Sequence, residues 1–256
     1  EELRSVGIDI NFAPVLDVDS NPRNPVIGDR SFGSHPRTVS RMAISLAHGM
    51  QRTGIIPCGK HFPGHGDTST DSHLDLPEVG RDLRDVERTE LFPFRRAIQS
   101  GLDALMTAHV VFTALDPGRP ATLSRRILTE LLRERLRFRG VVFSDDLEMK
   151  AIAARHAPEE AALMALEAGV DWLLFCEKLD AADDTVRGLE RAAARGGRLA
   201  LRMEEAAERI DVLRRNHLRK MRRPTSRALI PADGFPNHRN LVRWIEERAE
   251  QGGVRA

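Results

Sequence analysis

Five short apolar runs, each closed by polar or ionisable residues, recur about 30 to 50 residues apart along the chain, with segments of helical period between them. The runs are Ile8 to Pro14, Ile55 to His61, Ala104 to Val110, Gly140 to Ser144 and Asp171 to Cys176. Apolar runs without polar alternation suit parallel strands covered on both faces, so the rhythm predicts βα units. One intervening segment sets Val39, Met42, Ala43, Leu46 and Met50 on a single face. Another, with Ser124 as its cap, carries Ile127, Leu128, Leu131 and Leu132. Pro93 marks a helix start near Leu91, because inside a helix it would cost about 3 kcal/mol.

An α/β chain of this kind chooses between an open doubly wound sheet and a (β/α)8 TIM barrel. The run ends favour the barrel: Asp17 follows the first, Lys60 and His61 close the second, His109 the third, Asp145 and Asp146 the fourth. A barrel gathers all its strand ends on one face and builds its site there. A doubly wound sheet concentrates them at one switch point, and the sequence has no G-x-G-x-x-G or Walker A loop. Only five βα units are legible, so the expectation is that the chain holds about the last five of the barrel. Roughly three strands then belong before Glu1. On this reading residues 1–215 form the partial barrel. Residues 216–256 form a basic, polar C-terminal tail with a short amphipathic helix, Leu241 to Glu247.

Composition narrows the function. Lys and Arg total 39 against 38 Asp and Glu, a net charge of +1 in 256 residues, which predicts no bulk pull toward nucleic acid or membrane. No apolar run approaches the roughly 18–20 residues of a membrane span. The two cysteines, Cys58 and Cys176, sit in strand-like runs and read as buried free thiols in a reducing compartment, hence the cytoplasm. The Lys/Arg-rich stretch Arg214 to Arg223 has no interleaved aromatics and reads as a solvated helix end.

Chemistry concentrates in two places. Residues Gly59 to His73 pack three His, two Asp and a Lys into a turn-rich segment containing Pro63, Gly64 and Gly66. Asp71 stands two residues from His73, near enough for a carboxylate to hold one imidazole nitrogen of an acid/base. The second place is Val141 to Leu147, a buried strand ending in Asp145 and Asp146, one of which is expected to cap the following helix. Two mechanisms fit: double displacement by an Asp with a His as proton donor, or a divalent metal held by His61, His65, His73 and the aspartates. The absence of a close His-x-His pair, and Lys60 beside His61, favour displacement, with no metal and no cofactor.

Lys60 to His73 resembles the K-H-F-P-G-H-G-x4-D-S-H signature of family 3 glycoside hydrolases, in their bacterial β-N-acetylglucosaminidase branch. Asn11 to Val18, Ile27 to Gly33, Met106 to His109 and Phe143 to Met149 agree with the same family in the same order. The resemblance covers residues 1 to about 215 and implies a (β/α)8 barrel and retaining chemistry. It implies Asp145 as nucleophile, His73 as acid/base and Asp71 as its partner. It implies Arg30, Lys60 and His61 as sugar-binding residues, and Asp17 and His109, polar strand ends on the same face, are expected to bind sugar beside them. The implied substrate is a GlcNAc-containing muropeptide of peptidoglycan recycling or a chitooligosaccharide, acted on by a monomer. The family's upstream segment that grips the non-reducing sugar has no counterpart in this sequence, which leaves a catalytically impaired sugar-binding fragment as a further reading.

Overall fold

The computed structural model describes residues 1–72, 74–218 and 235–251. In chain order it contains α1 (Glu2–Ser5), β1 (Ile10–Asn11), α2 (Pro36–Arg52), β2 (Ile56–Phe62), β3 (Glu78–Val79), α3 (Leu83–Arg88), α4 (Leu91–Gln99), β4 (Ala104–Thr107) and β5 (Val111–Phe112). A π-wound helix (Arg126–Arg135), β6 (Val141–Asp146), α5 (Lys150–Ala153), α6 (Pro158–Ala168), β7 (Trp172–Leu174), α7 (Leu179–Ala193), α8 (Arg198–Leu218) and α9 (Pro236–Gln251) follow.

All five expected strands form one parallel sheet in the order β1-β2-β4-β6-β7. Ile10 pairs with Ile56, Cys58 with Ala104, Ala104 with Val141 and Phe143 with Trp172. The sheet curls. Two strands separate β1 from β6, which in a flat sheet would stand about 14 Å apart with side chains projecting from the faces. The Phe12 and Phe143 rings nevertheless meet edge-on at 5.5 Å, and Phe143 stacks on Trp172 at 5.2 Å. The hollow side holds Ile56, Cys58, Ala104, Met106, Val141 and Phe143. The outer side packs Leu105 and Val142 against a core that includes Phe94, Leu128, Leu132 and Ala165 from the surrounding helices.

Ser124 caps the π-wound helix as expected, its Oγ accepting the Ile127 N–H at 3.1 Å. Pro93 sits in the first turn of α4. In α2 the buried stripe is Val39, Ser40, Ala43 and Ala47, whereas Met42 and Leu46 are exposed. The small residues, not the large ones, permit close approach of the helix to the sheet. A two-stranded pair, β3 with β5, had no signal in the apolar pattern, because each strand is two residues long.

The thiols divide: Cys58 is buried in β2, where burial raises its pKa, but Cys176 is exposed just past β7. That corrects the expectation of two buried thiols. α8 runs from Arg198 to Leu218. It crosses below the strand N-termini, with Arg202 and Arg209 bonded to Asp171 before β7 and His217 bonded to Asp103 before β4 at 2.9 Å. From there Ile210 and Leu213 enter the hollow side of the sheet. The expected tail helix lies within α9, and the rest of the basic stretch beyond Leu218 lies outside the described residues. No described helix is long and apolar enough to cross a membrane.

Candidate active site

The polar strand ends meet at the C-terminal edge of the curled sheet. Asp17, fully buried after β1, organises the β2 end. Its carboxylate accepts the His61 N–H at 3.1 Å, the His65 N–H at 2.8 Å and the His61 Nδ1 at 2.7 Å. Because a carboxylate only accepts, His61 Nδ1 carries the hydrogen. Burial alone would raise the Asp17 carboxyl, but His61 and His65 facing it hold it below its ordinary value. Through these bonds Asp17 positions His61 and the start of the loop after β2.

His109 is fully buried, and both ring nitrogens are engaged: Nδ1 with Thr122 Oγ1 at 2.7 Å and Nε2 with the Asp146 carbonyl at 2.8 Å. The carbonyl only accepts, so Nε2 donates and Nδ1 accepts from Thr122. Burial lowers the ring's pKa, in keeping with this neutral form. Thr122 in turn contacts Thr107 Oγ1 at 2.8 Å, and Thr107 Oγ1 accepts the Asp145 N–H at 3.3 Å. This Thr107–Thr122–His109 chain grips the Asp145–Asp146 backbone from both sides.

Asp145 therefore sits on a rigid support at the end of β6. Burial would raise its pKa, but His61 and His109 outweigh that and hold the carboxyl low. Its Oδ1 accepts the Asp146 N–H at 2.9 Å, while Asp146 Oδ1 accepts the Glu148 N–H at 3.1 Å. Asp146 turns the chain after β6 through this bond, but α5 starts from Met149 without a side-chain cap, so neither aspartate caps the following helix as expected. Lys60, half-buried, lies within the field of both Asp145 and Arg30; burial first, and Arg30 second, lower its pKa. Arg30, exposed on a short 3-10 turn (Gly28–Arg30), is tethered through Nη1 to the Val26 carbonyl at 3.2 Å. Asp145, Lys60, Arg30 and His61 thus share one electrostatic neighbourhood.

The loop after β2 is clipped from above and below. Asn24 Nδ2 donates to the His65 and Gly66 carbonyls at 2.8 and 3.0 Å and to Thr68 Oγ1 at 3.1 Å, while its Oδ1 accepts the Val26 and Ile27 N–H groups. Buried His65 bridges Thr68 Oγ1 at 2.9 Å and Ser72 Oγ at 3.0 Å, and the Ser72 carbonyl accepts the Ala151 N–H. Gly66 is required here: a Cβ would lie 1.6 Å from the Val18 carbonyl oxygen. Arg81 holds Asp67 through two bonds of 2.7 and 2.8 Å. These contacts fix Ser72 beside His65, and the Asp71 carbonyl accepts the Leu74 and Asp75 N–H groups at 2.9 and 3.0 Å. The predicted acid/base, His73, lies outside the described residues.

Asn24, Thr122 and Glu90 had no signal in motif or period. Glu90 is a buried carboxyl under the loop. Its Oε1 accepts from Ser20 at 3.1 Å, its Oε2 has no hydrogen-bond partner among the described residues, and burial pushes its pKa up to about 7. Among the described residues no group of three or more His, Cys, Asp or Glu is arranged to hold a metal ion.

Comparison with known proteins agrees with this geometry. Residues 1–213 match the family model of the glycosyl hydrolase family 3 N terminal domain. A beta-hexosaminidase of Methylococcus capsulatus is 45% identical over 196 residues, which is 77% of this chain and 58% of the relative. One from Nitrosomonas eutropha is 42% identical over 189 residues, 74% of this chain and 54% of the relative. Among solved structures, a family 3 beta-N-acetylglucosaminidase from Paenibacillus superposes with a TM-score of 0.84 at 40% identity, covering 88% of this chain and 43% of that one. NagZ from Neisseria gonorrhoeae, in complex with N-trifluoroacetyl-D-glucosamine, gives 0.66 at 43% identity over 73% of this chain and 53% of its own. The chain spans about half the length of the curated relatives it matches.

Proposed function

The chain belongs to glycosyl hydrolase family 3, and from that premise we propose that it carries the catalytic half of a retaining β-N-acetylglucosaminidase. The supporting observation is the state of Asp145. It is a partly buried carboxylate, held anionic, on a hydrogen-bonded support, beside Lys60 and His61, at the sheet edge where a (β/α)8 barrel builds its site. The curl of the sheet agrees with such a barrel, of which this chain would supply about five βα units.

In the proposed reaction an Asp145 oxygen attacks the anomeric carbon as the bond to the leaving oxygen breaks, and His73 gives that oxygen a proton. Water then attacks the same carbon, returns a proton to His73 and releases Asp145, so two inversions give retention. Lys60 and Arg30 donate to sugar hydroxyls, and His61, held by Asp17, presents its other nitrogen. Asp71 supports His73. The proposed substrates are GlcNAc-terminated muropeptides or chitooligosaccharides, in the cytoplasm, with the protein acting as a monomer. The test is hydrolysis by the full-length protein of an aryl β-N-acetylglucosaminide and an aryl β-glucoside. Preference for the first supports the reading; preference for the glucoside removes the N-acetyl assignment. A chelator should leave the rate unchanged, and zinc-restored loss would favour the metal reading.

A further inference from the structure

On the opposite side of the sheet from Asp145, a cavity of about 340 Å³ opens between the π-wound helix and the start of α8. Arg125 and Arg133 line it from the first helix, and Arg198, Arg202 and Arg209 from the second, with Gly169 on the floor. The spacings explain why these side chains converge: Arg125, at the N-cap, and Arg133 lie eight residues apart, and Arg198, Arg202 and Arg209 follow at intervals of four and seven along one face of α8. Such a volume lies at the small end of ligand pockets, which run roughly 300–1,000 Å³.

Three of these guanidiniums are pinned on a single carboxylate. Asp171, with no side-chain exposure, accepts from Arg133 Nη2 at 2.5 Å, from Arg209 Nη1 at 3.0 Å and from Arg202 Nη2. It also accepts the Val142 N–H at 2.9 Å. One negative charge thus holds three positive ones. Burial lowers the Arg133 pKa to about 10, with Arg209 and Arg202 acting in the same direction against Asp171. Arg202 Nη1 is buried and has no hydrogen-bond partner among the described residues. The acids at the mouth, Glu134, Glu167 and Glu205, are exposed. Glu205 reaches Arg202 and Arg209 only at 3.6 Å, an ion-pair distance without hydrogen bonds. The first turn of α8, a helix of 21 residues, contributes Arg198 and Leu201 to the same wall, so the positive end of its macrodipole faces the cavity.

We propose that this cavity is an anion site for a phosphate group, carried by a small phosphorylated metabolite or present as inorganic phosphate. A tetrahedral dianion offers further oxygens to the donors that Asp171 leaves over on the two helices. Guanidinium forks match it bidentately, and Arg202 Nη1 gains the acceptor it lacks. The site is separate from the sugar-binding face, so it is a place for a ligand other than the substrate.

The test is thermal unfolding of the full-length protein at constant ionic strength, with chloride replaced by inorganic phosphate or by glucose 6-phosphate. A ligand confined to the folded state raises the midpoint with saturation. Saturation by both ligands is expected, and the tighter of the two identifies the natural class. Arg125 and Arg198 stand exposed at the mouth, so Arg125→Gln with Arg198→Gln tests the site without disturbing Asp171. The double variant should weaken the apparent affinity about ten-fold or more. Arg30→Gln, on the catalytic face, should leave it unchanged. A midpoint that does not respond, a response retained in the double variant, or one lost in Arg30→Gln would each overturn the proposal.

Discussion

Asp145 and Glu90 show how burial sets opposite states for two carboxyls in one fold. Asp145 has His61 and His109 close by and keeps its charge; Glu90 has one hydroxyl donor, and desolvation prevails. Asp145→Ala should therefore remove several orders of magnitude of activity in the full-length protein, whereas Asp146→Asn should act mainly through the bond to the Glu148 N–H. For Glu90 the sign follows from linkage. The unfolded chain loses this proton near pH 4.5 and the folded chain near 7, so stability falls as pH rises between those values. Glu90→Gln should stabilise the protein at pH 8 by up to about 3 kcal/mol, at about 1.4 kcal/mol per pH unit, and give little at pH 4. Urea unfolding of both proteins at the two pH values measures this. An equal effect at both would place the Glu90 proton elsewhere.

The loop after β2 is where sequence and structure part company. Its dense His, Asp and Gly content marked residues 59–73 for function, and the S-D-D strand end marked Asp145, because motif and strand period are both local signals. What holds them is long-range: Asn24 acts across 41 residues of chain, His109 across 37 and Thr122 across 15. No periodicity reports such partners, nor the bonds that tie Asp17 to His61 and His109 to Thr122 and the Asp146 carbonyl. Removing the clip isolates its effect. Asn24→Ala leaves the His65 and Gly66 carbonyls without their donor, a loss of about 1–3 kcal/mol. Hydrogen exchange should show the amides of residues 65–68 losing protection while those of β2 keep theirs; uniform protection would mean the loop holds its own shape. Gly66→Ala should do more, since its Cβ has no room beside Val18.

The whole molecule is organised by two ends of one curled sheet. Five strands were legible from apolar runs because parallel strands buried on both faces leave continuous signals, whereas β3 and β5 are too short to leave any. The N-terminal end is locked by Asp171 and its three arginines, which join the π-wound helix to α8. Asp171→Ala should cost about 3–5 kcal/mol, because it strands buried guanidiniums, and denaturant unfolding would register it. The C-terminal end carries the proposed site, whose central feature is a bond from Asp145 to sugar. The most direct test is to trap that bond in the full-length protein with a mechanism-based fluorosugar of the N-acetylglucosamine type and sequence the labelled peptide. The account predicts one stoichiometric label on Asp145, absent in Asp145→Ala; a label on Asp146 or Asp17, or turnover with inversion and no trapped intermediate, would contradict it.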